Sequence, residues 1–196
     1  MSARREPTEQ QRPSEGLIEQ TRAALLSAHH EAEASLYLPR MRALLERDPL
    51  GALSGRALEA HFTASAFLLR ADGAPLALYH KKLQRWLQPG GHIEWSDRSP
   101  LDAALREARE ETGLLDLKPL SPHPIDLDIH RIPERGAHAA HDHYDLRFGF
   151  LVGELTQRAE AYEPHRLEWL EGQALSSWLE DPSLSRAYRR ARQLIS

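Results

Sequence analysis

Apolar residues are spaced in two ways along the chain, and the change of spacing divides it. From Gly16 to about Arg47, Leu17, Ile18, Ala24, Leu25, Leu26, Ala32, Leu36, Leu38, Met41, Leu44 and Leu45 recur at helical intervals. Pro39 interrupts the pattern, so two helices are expected there. Asp48-Pro49-Leu50-Gly51 reads as a turn that closes this helical part. From His61 the spacing becomes strand-like: Phe62 to Leu69, a turn at Ala71 to Ala74, then Pro75 to Tyr79, which is a hairpin signal. Trp86-Leu87-Gln88 runs into a Pro89-Gly90-Gly91 turn, where glycine lets the backbone approach a ligand.

A helix is predicted from Pro100, with Ser99 as N-cap, Asp102 at the capping-box acid position, and Gly113 as the stop. Strands are predicted at Ile125–Ile132 and Tyr144–Val152, joined by a Gly-, Ala- and His-rich loop from Pro133 to Asp142. Leu167 to Leu170 reads as a short strand. Helical segments are expected at about Gly172–Leu179 and Pro182–Ile195, the latter capped by Asp181. Mixed strands with helices at both ends define an α+β class, an α/β/α sandwich. The expected organisation is a disordered polar tail over 1–15, a helical N-terminal extension over 16–58 and one α+β domain over 59–196.

Composition narrows the chemistry. The chain has 196 residues, a formal net charge of -4 and 41% hydrophobic residues, which suits a globular protein and gives no basic footprint for a nucleic acid polymer. There is no cysteine, which excludes disulfides, thiolate nucleophiles and sulfur-ligated metals. Any metal must be held by carboxylate, imidazole or backbone oxygen. No stretch approaches a membrane span, and the N-terminal residues have no apolar core for a secretory signal, so no membrane partner and a cytoplasmic location are expected.

The helix after Pro100 carries the sharpest chemistry. Leu101, Ala104, Leu105 and Ala108 form an apolar stripe for a sheet. Glu107, Glu110 and Glu111 fall at i, i+3 and i+4, where like charges repel and Arg106 relieves part of the repulsion. Such a carboxylate cluster without sulfur suits Mg²⁺ or Mn²⁺, although a solvated acidic face gives the same spacing. The Gly90-Gly91 turn offers backbone carbonyl to a metal or N–H to phosphate.

Together these features resemble the Nudix box, G-x5-E-x7-R-E-U-x-E-E-x-G-U with U a bulky aliphatic. Gly91 fits the opening Gly, and Arg106-Glu-Ala-Arg-Glu-Glu-Thr-Gly-Leu114 fits the second half, with Ala108 a small substitute at one aliphatic position. Counting forward from Gly91 puts Asp97 at the first Glu, and eight residues then separate Asp97 from Arg106 where the pattern has seven. A one-residue loop insertion with Asp97 as the acidic replacement is the simplest reading.

The resemblance implies a Nudix fold with a mixed sheet between helices. It also implies divalent-metal-dependent hydrolysis of a diphosphate linkage in a nucleoside diphosphate joined to another moiety, or in a related nucleotide or organic pyrophosphate. It would assign Glu107, Glu110, Glu111 and the Gly91 carbonyl to the metal, and Glu110, Glu107 and Arg106 to catalysis, with Arg106 orienting the glutamates. Asp97 and Glu163 are candidates for an additional acid, and Glu168 is a second late candidate. A non-catalytic Nudix-derived nucleotide-sensing or interaction module is the alternative. An isoprenyl diphosphate isomerase on this fold would call for a nucleophilic Cys, which is absent.

Outside the box, His141, His143, Asp145 and Arg147 alternate, so a strand beginning by His141 puts them on one face, opposite Tyr144, Leu146 and Phe148. They are substrate-binding candidates, with a zinc site or an internally paired polar face as alternatives, and His138 lies nearby in the loop. His80, Lys81 and Lys82 could meet phosphates or form a solvated strand end. The N-terminal helices could cover the sheet, form a homodimer interface or act as a lid; their many apolar positions favour packing on the parent domain.

Overall fold

The structure is a computed structural model and describes residues 14–28, 35–54, 59–81, 83–134, 139–153 and 166–195. Residues 1–13 of the tail expected over 1–15, together with Lys82, His138 and Glu163, lie outside the described residues, while Ser14 and Glu15 belong to the start of the first helix. In chain order the elements are α1 (Glu15–Ser27), α2 (Leu38–Arg47), α3 (Pro49–Ala52), β1 (Ala60–Leu69), β2 (Pro75–His80), β3 (Arg85–Leu87), β4 (Gly90–His92), α4 (Pro100–Thr112), β5 (Leu117–Pro119), β6 (Asp126–Ile132), β7 (His141–Val152), β8 (Arg166–Trp169), α5 (Gly172–Trp178) and α6 (Pro182–Gln193).

Most elements lie where the apolar periodicity puts them. Ser14 caps α1, its hydroxyl accepting from Leu17 N–H, so the helix starts at Glu15. Pro39 falls in the first turn of α2, where its missing N–H costs nothing. The expected turn at Asp48–Gly51 is a single helical turn, α3, because the Asp48 carboxylate accepts from Gly51 N–H at 2.9 Å. Two short strands carry no periodicity of their own. β4, within the expected Gly-Gly turn, and β5 each hold three residues, too few for alternation to register.

Among the described residues the strands form one mixed sheet. β1 runs parallel to β7 along its whole length, while β1–β2, β1–β4, β6–β7, β5–β7, β2–β3 and β2–β8 are antiparallel. This is an α+β architecture with helices on both faces of the sheet.

The pleat divides the core into two apolar clusters. Phe62, Ala64, Ala66 and Leu68 of β1 point one way, with Tyr144, Leu146, Phe148 and Phe150 of β7. They pack against Ala103, Ala104 and Ala108 of α4 and against Leu17, Leu25, Met41, Leu44 and Leu45 of the N-terminal helices. The N-terminal extension therefore covers the sheet. The other face is apolar at Phe67 and Leu69, which pack with Trp178, Leu184, Ala187 and Tyr188 of α5 and α6. At its other end that face is polar: His61, Thr63 and Ser65 of β1 lie beside His143, Asp145 and Arg147 of β7.

Candidate active site

Helix α4 is set by its ends. Ser99 accepts from Asp102 N–H at 3.1 Å, and Gly113 closes the helix in the left-handed conformation (φ 71°), donating to the Arg109 carbonyl at 2.8 Å. Only half of the expected capping box forms, since the Asp102 carboxylate turns outward to Arg98 Nε at 3.3 Å. The buried stripe is Ala103, Ala104 and Ala108, with Leu101 and Leu105 partly covered. Three alanines let the helix lie close to β1 and β4.

That closeness brings α4 against the glycine turn. A Cβ on Gly91 would sit 2.7 Å from the Glu107 carboxyl carbon and both its oxygens, so a side chain there would occupy the carboxylate's place. Gly90 is as constrained, because its Cβ would lie 2.8 Å from the Ser65 Cα and 2.9 Å from the Ala64 carbonyl. Gly90 N–H donates to Glu111 Oε2 at 2.8 Å.

Arg106 ties the acids together. Its Nη1 donates to Glu107 Oε1 at 2.9 Å and to Glu110 Oε2 at 3.2 Å. Its Nε and Nη2 each reach one oxygen of Asp97 at 3.0 Å, and Nη2 also donates to the His92 carbonyl at 2.9 Å. Asp97 is buried and accepts in addition from Glu94 N–H at 2.8 Å. Burial opposes the charge on Arg106, but its hydrogen bonds to Asp97 and Glu107 outweigh it and hold the guanidinium protonated. Burial pushes the Glu107 carboxyl above the usual range, with the Glu110 and Glu94 charges adding to the shift and Arg106 opposing it. Glu110 is the more open, its side chain 46% exposed against 16% for Glu107.

The structure thus brings together Gly91, Asp97, Arg106, Glu107, Glu110 and Glu111. The candidates on β7 lie elsewhere. Gly91 pairs with Ala64 and faces α4, whereas the next residue, His92, pairs with Thr63 and faces the opposite side of the sheet. There His92 meets His61, Nε2 to Nε2 at 3.0 Å, and His141 meets His143, Nε2 to Nε2 at 3.2 Å. Burial and the surrounding His61, His130, His92 and His141 rings push the His143 pKa down to about 2, so the ring stays neutral.

Asp145 and Arg147, deeper on that face, are buried. Asp145 accepts from Thr63 and Ser65 hydroxyls at 2.9 and 2.7–2.9 Å. Arg147 pairs with Asp145, Asp126 and Asp128, and Arg186 of α6 closes the network on Asp126 at 2.7 Å. Of the remaining candidates, Glu168 on β8 pairs with Arg166 at 2.9 Å, and His80 Nδ1 accepts from Leu83 N–H at 3.1 Å.

The sequence reading overlooked His61, His92, Asp126, Asp128 and Arg186. The alternation of Asp126 and Asp128 within a predicted strand was the available signal, since two acids on one strand face need a cationic partner.

A mixed sheet between helices, with a glycine turn held against a glutamate-bearing helix, defines the class, and comparison with known proteins agrees. The NUDIX domain profile matches residues 59–190. The chain belongs to the NUDIX family. A curated protein of Lactococcus lactis subsp. cremoris, named probable DHNTP pyrophosphohydrolase, is 32% identical over 101 residues, which is 52% of this chain and 58% of that protein. The crystal structure of a NUDIX-family hydrolase from Clostridium perfringens superposes with a TM-score of 0.51 at 25% identity, covering 68% of this chain and 97% of that one. A C. elegans Ap4A hydrolase shares the fold, with a TM-score of 0.50 at 15% identity over 68% of this chain and 96% of its own. Among the described residues no helix is long and apolar enough to cross a membrane.

Proposed function

We propose that this chain is a divalent-metal-dependent pyrophosphohydrolase of the cytoplasm, cleaving the diphosphate linkage of a nucleoside diphosphate joined to another moiety, or of a related nucleotide or organic pyrophosphate. The observation that carries this reading is the seating of Glu107 and Glu111 against the Gly90-Gly91 turn, with Arg106 joining Glu110 to Glu107. The name of the Lactococcus lactis relative points the same way.

The donor set fits Mg²⁺ or Mn²⁺. Asp97, Glu107 and Glu110 share one guanidinium, and Glu111 lies beside them on the Gly90 N–H, so hard oxygen donors outnumber the cations of the cluster. Glu107, Glu110, Glu111 and the Gly91 carbonyl would hold the ion. Bound there, it would polarise a phosphoryl oxygen, acidify a water and screen the anionic substrate. Arg106 orients Glu107 and Glu110, and Asp97 orients Arg106. Glu110, the open carboxylate beside Arg106, would accept a proton from the attacking water.

The test is hydrolysis of a panel of ADP-ribose, dinucleoside polyphosphates, NADH, CoA, DHNTP and oxidised dNTPs with Mg²⁺ or Mn²⁺. At least one should yield phosphate-containing products. A sensing module would bind a nucleotide and leave it intact.

A further inference from the structure

We propose that His61, His92 and His143 form a second metal site, selective for a late first-row divalent ion of the zinc class and separate from the carboxylate cluster. The three rings come from three strands. His61 pairs with His143 across β1–β7, and His92 lies opposite Thr63 across β1–β4. Each offers one ring nitrogen, and these nitrogens all lie within 4.8 Å of one another. Ligand nitrogens ~2.0–2.1 Å from a tetrahedral Zn²⁺ stand ~3.4 Å apart. The 3.0 Å between the Nε2 atoms of His61 and His92, and the 4.8 Å limit for the set, bracket that spacing, so small ring rotations close the site.

The surroundings prepare the rings as ligands. His141 Nδ1 donates to the Ala139 carbonyl at 2.8 Å, which orients the ring with Nε2 3.2 Å from His143 Nε2. His130, 5.4 Å from His143 between ring centroids, is held by Asp128 through Nδ1 at 3.0 Å. Imidazole binds a metal through the nitrogen lone pair of its neutral form. No carboxylate belongs to the set. All-imidazole ligation suits Zn²⁺, Cu²⁺ or Ni²⁺ and not Mg²⁺, so the two sites select different ions. Three protein ligands leave a fourth position for His141 Nε2, a water or an anionic oxygen.

The site would act on the neighbouring box mechanically. His92 follows Gly91 on β4, and its carbonyl accepts from Arg106. An ion joining β1, β4 and β7 would clamp β4 where Gly91 is held against Glu107.

The test uses the full chain freed of metal by chelation and then titrated with Zn²⁺ by calorimetry in the presence of millimolar Mg²⁺. One equivalent of Zn²⁺ should bind and raise the melting temperature, and Co²⁺ should give the intense visible absorption of a four-coordinate site. His92→Gln and His143→Gln should each weaken Zn²⁺ binding at least tenfold, whereas Glu110→Gln should leave it within twofold. His92 is exposed, so its variant should fold even if a His61 variant does not. No Zn²⁺ binding, binding lost in Glu110→Gln, or binding retained in both histidine variants would overturn the proposal. The readout is binding, so its failure is distinct from a failure to hydrolyse pyrophosphates.

Discussion

Asp97 and Arg106 form a two-point ion pair, Nε to Oδ1 and Nη2 to Oδ2 each at 3.0 Å, across the loop that leads into α4. That loop turns at Glu94–Asp97, where Asp97 N–H donates to the Glu94 carbonyl at 3.0 Å and Glu94 N–H returns to the Asp97 carboxylate. Removing Asp97 leaves the guanidinium without its most buried partner. Asp97→Ala should cost about 3 kcal/mol in chemical denaturation. It should also lower kcat by roughly 10- to 100-fold, because the group that orients the glutamates is itself loosened. Wild-type turnover in that variant would detach Asp97 from the site.

Gly91→Ala sets a Cβ on the Glu107 carboxylate. The helix or the strand must shift by about an ångström, and kcat should fall by roughly 100-fold while the far-ultraviolet circular dichroism stays unchanged. An unaffected kcat would show that Glu107 need not stand where it does.

The network behind β7 is a stability element. Arg147→Met leaves Asp126, Asp128 and Asp145 buried with one cation fewer and should cost about 3–5 kcal/mol in a urea melt. A loss under 1 kcal/mol would mean that the buried acids take up protons or water more readily than their packing implies.

Acid should expose the same network. Burial alone would raise the Asp128 pKa, but the hydrogen bond with His130 and the Arg147 charge outweigh it and hold the group below the usual carboxylate range. Its contribution is then fully present above the unfolded value of about 3.9 and is lost as pH falls through the lower native value. Wild-type and Asp128→Asn urea midpoints should differ at pH 5 and converge between pH 4 and 2. A gap that widens on acidification would reverse the assigned direction.

What the sequence shows depends on how local each feature is. Helix α4, its Ser99 and Gly113 ends and the glutamate triplet are encoded within fifteen consecutive residues, and they fold as their spacing dictates. The hairpin of β1 and β2 is equally local. The parallel pairing of β1 with β7 joins residues about eighty positions apart, and no pattern within either strand announces it. The histidine cluster depends on that register and on β4, whose three residues read as a turn. His61 and His92 therefore looked isolated. Arg186 was hidden in the same way: on α6 it is one of several arginines, and only the packing of α6 over β6 singles it out.

The most direct measurement is the initial rate of pyrophosphate hydrolysis on the substrate panel, wild type beside Glu110→Gln, with EDTA and then with Mg²⁺ restored. The expected result is turnover by the wild type that EDTA abolishes and Mg²⁺ recovers, with the folded Glu110→Gln protein slower by roughly 100- to 10,000-fold. Undiminished hydrolysis in EDTA, or a Glu110→Gln variant as fast as the wild type, would contradict the assignment of the α4 carboxylates.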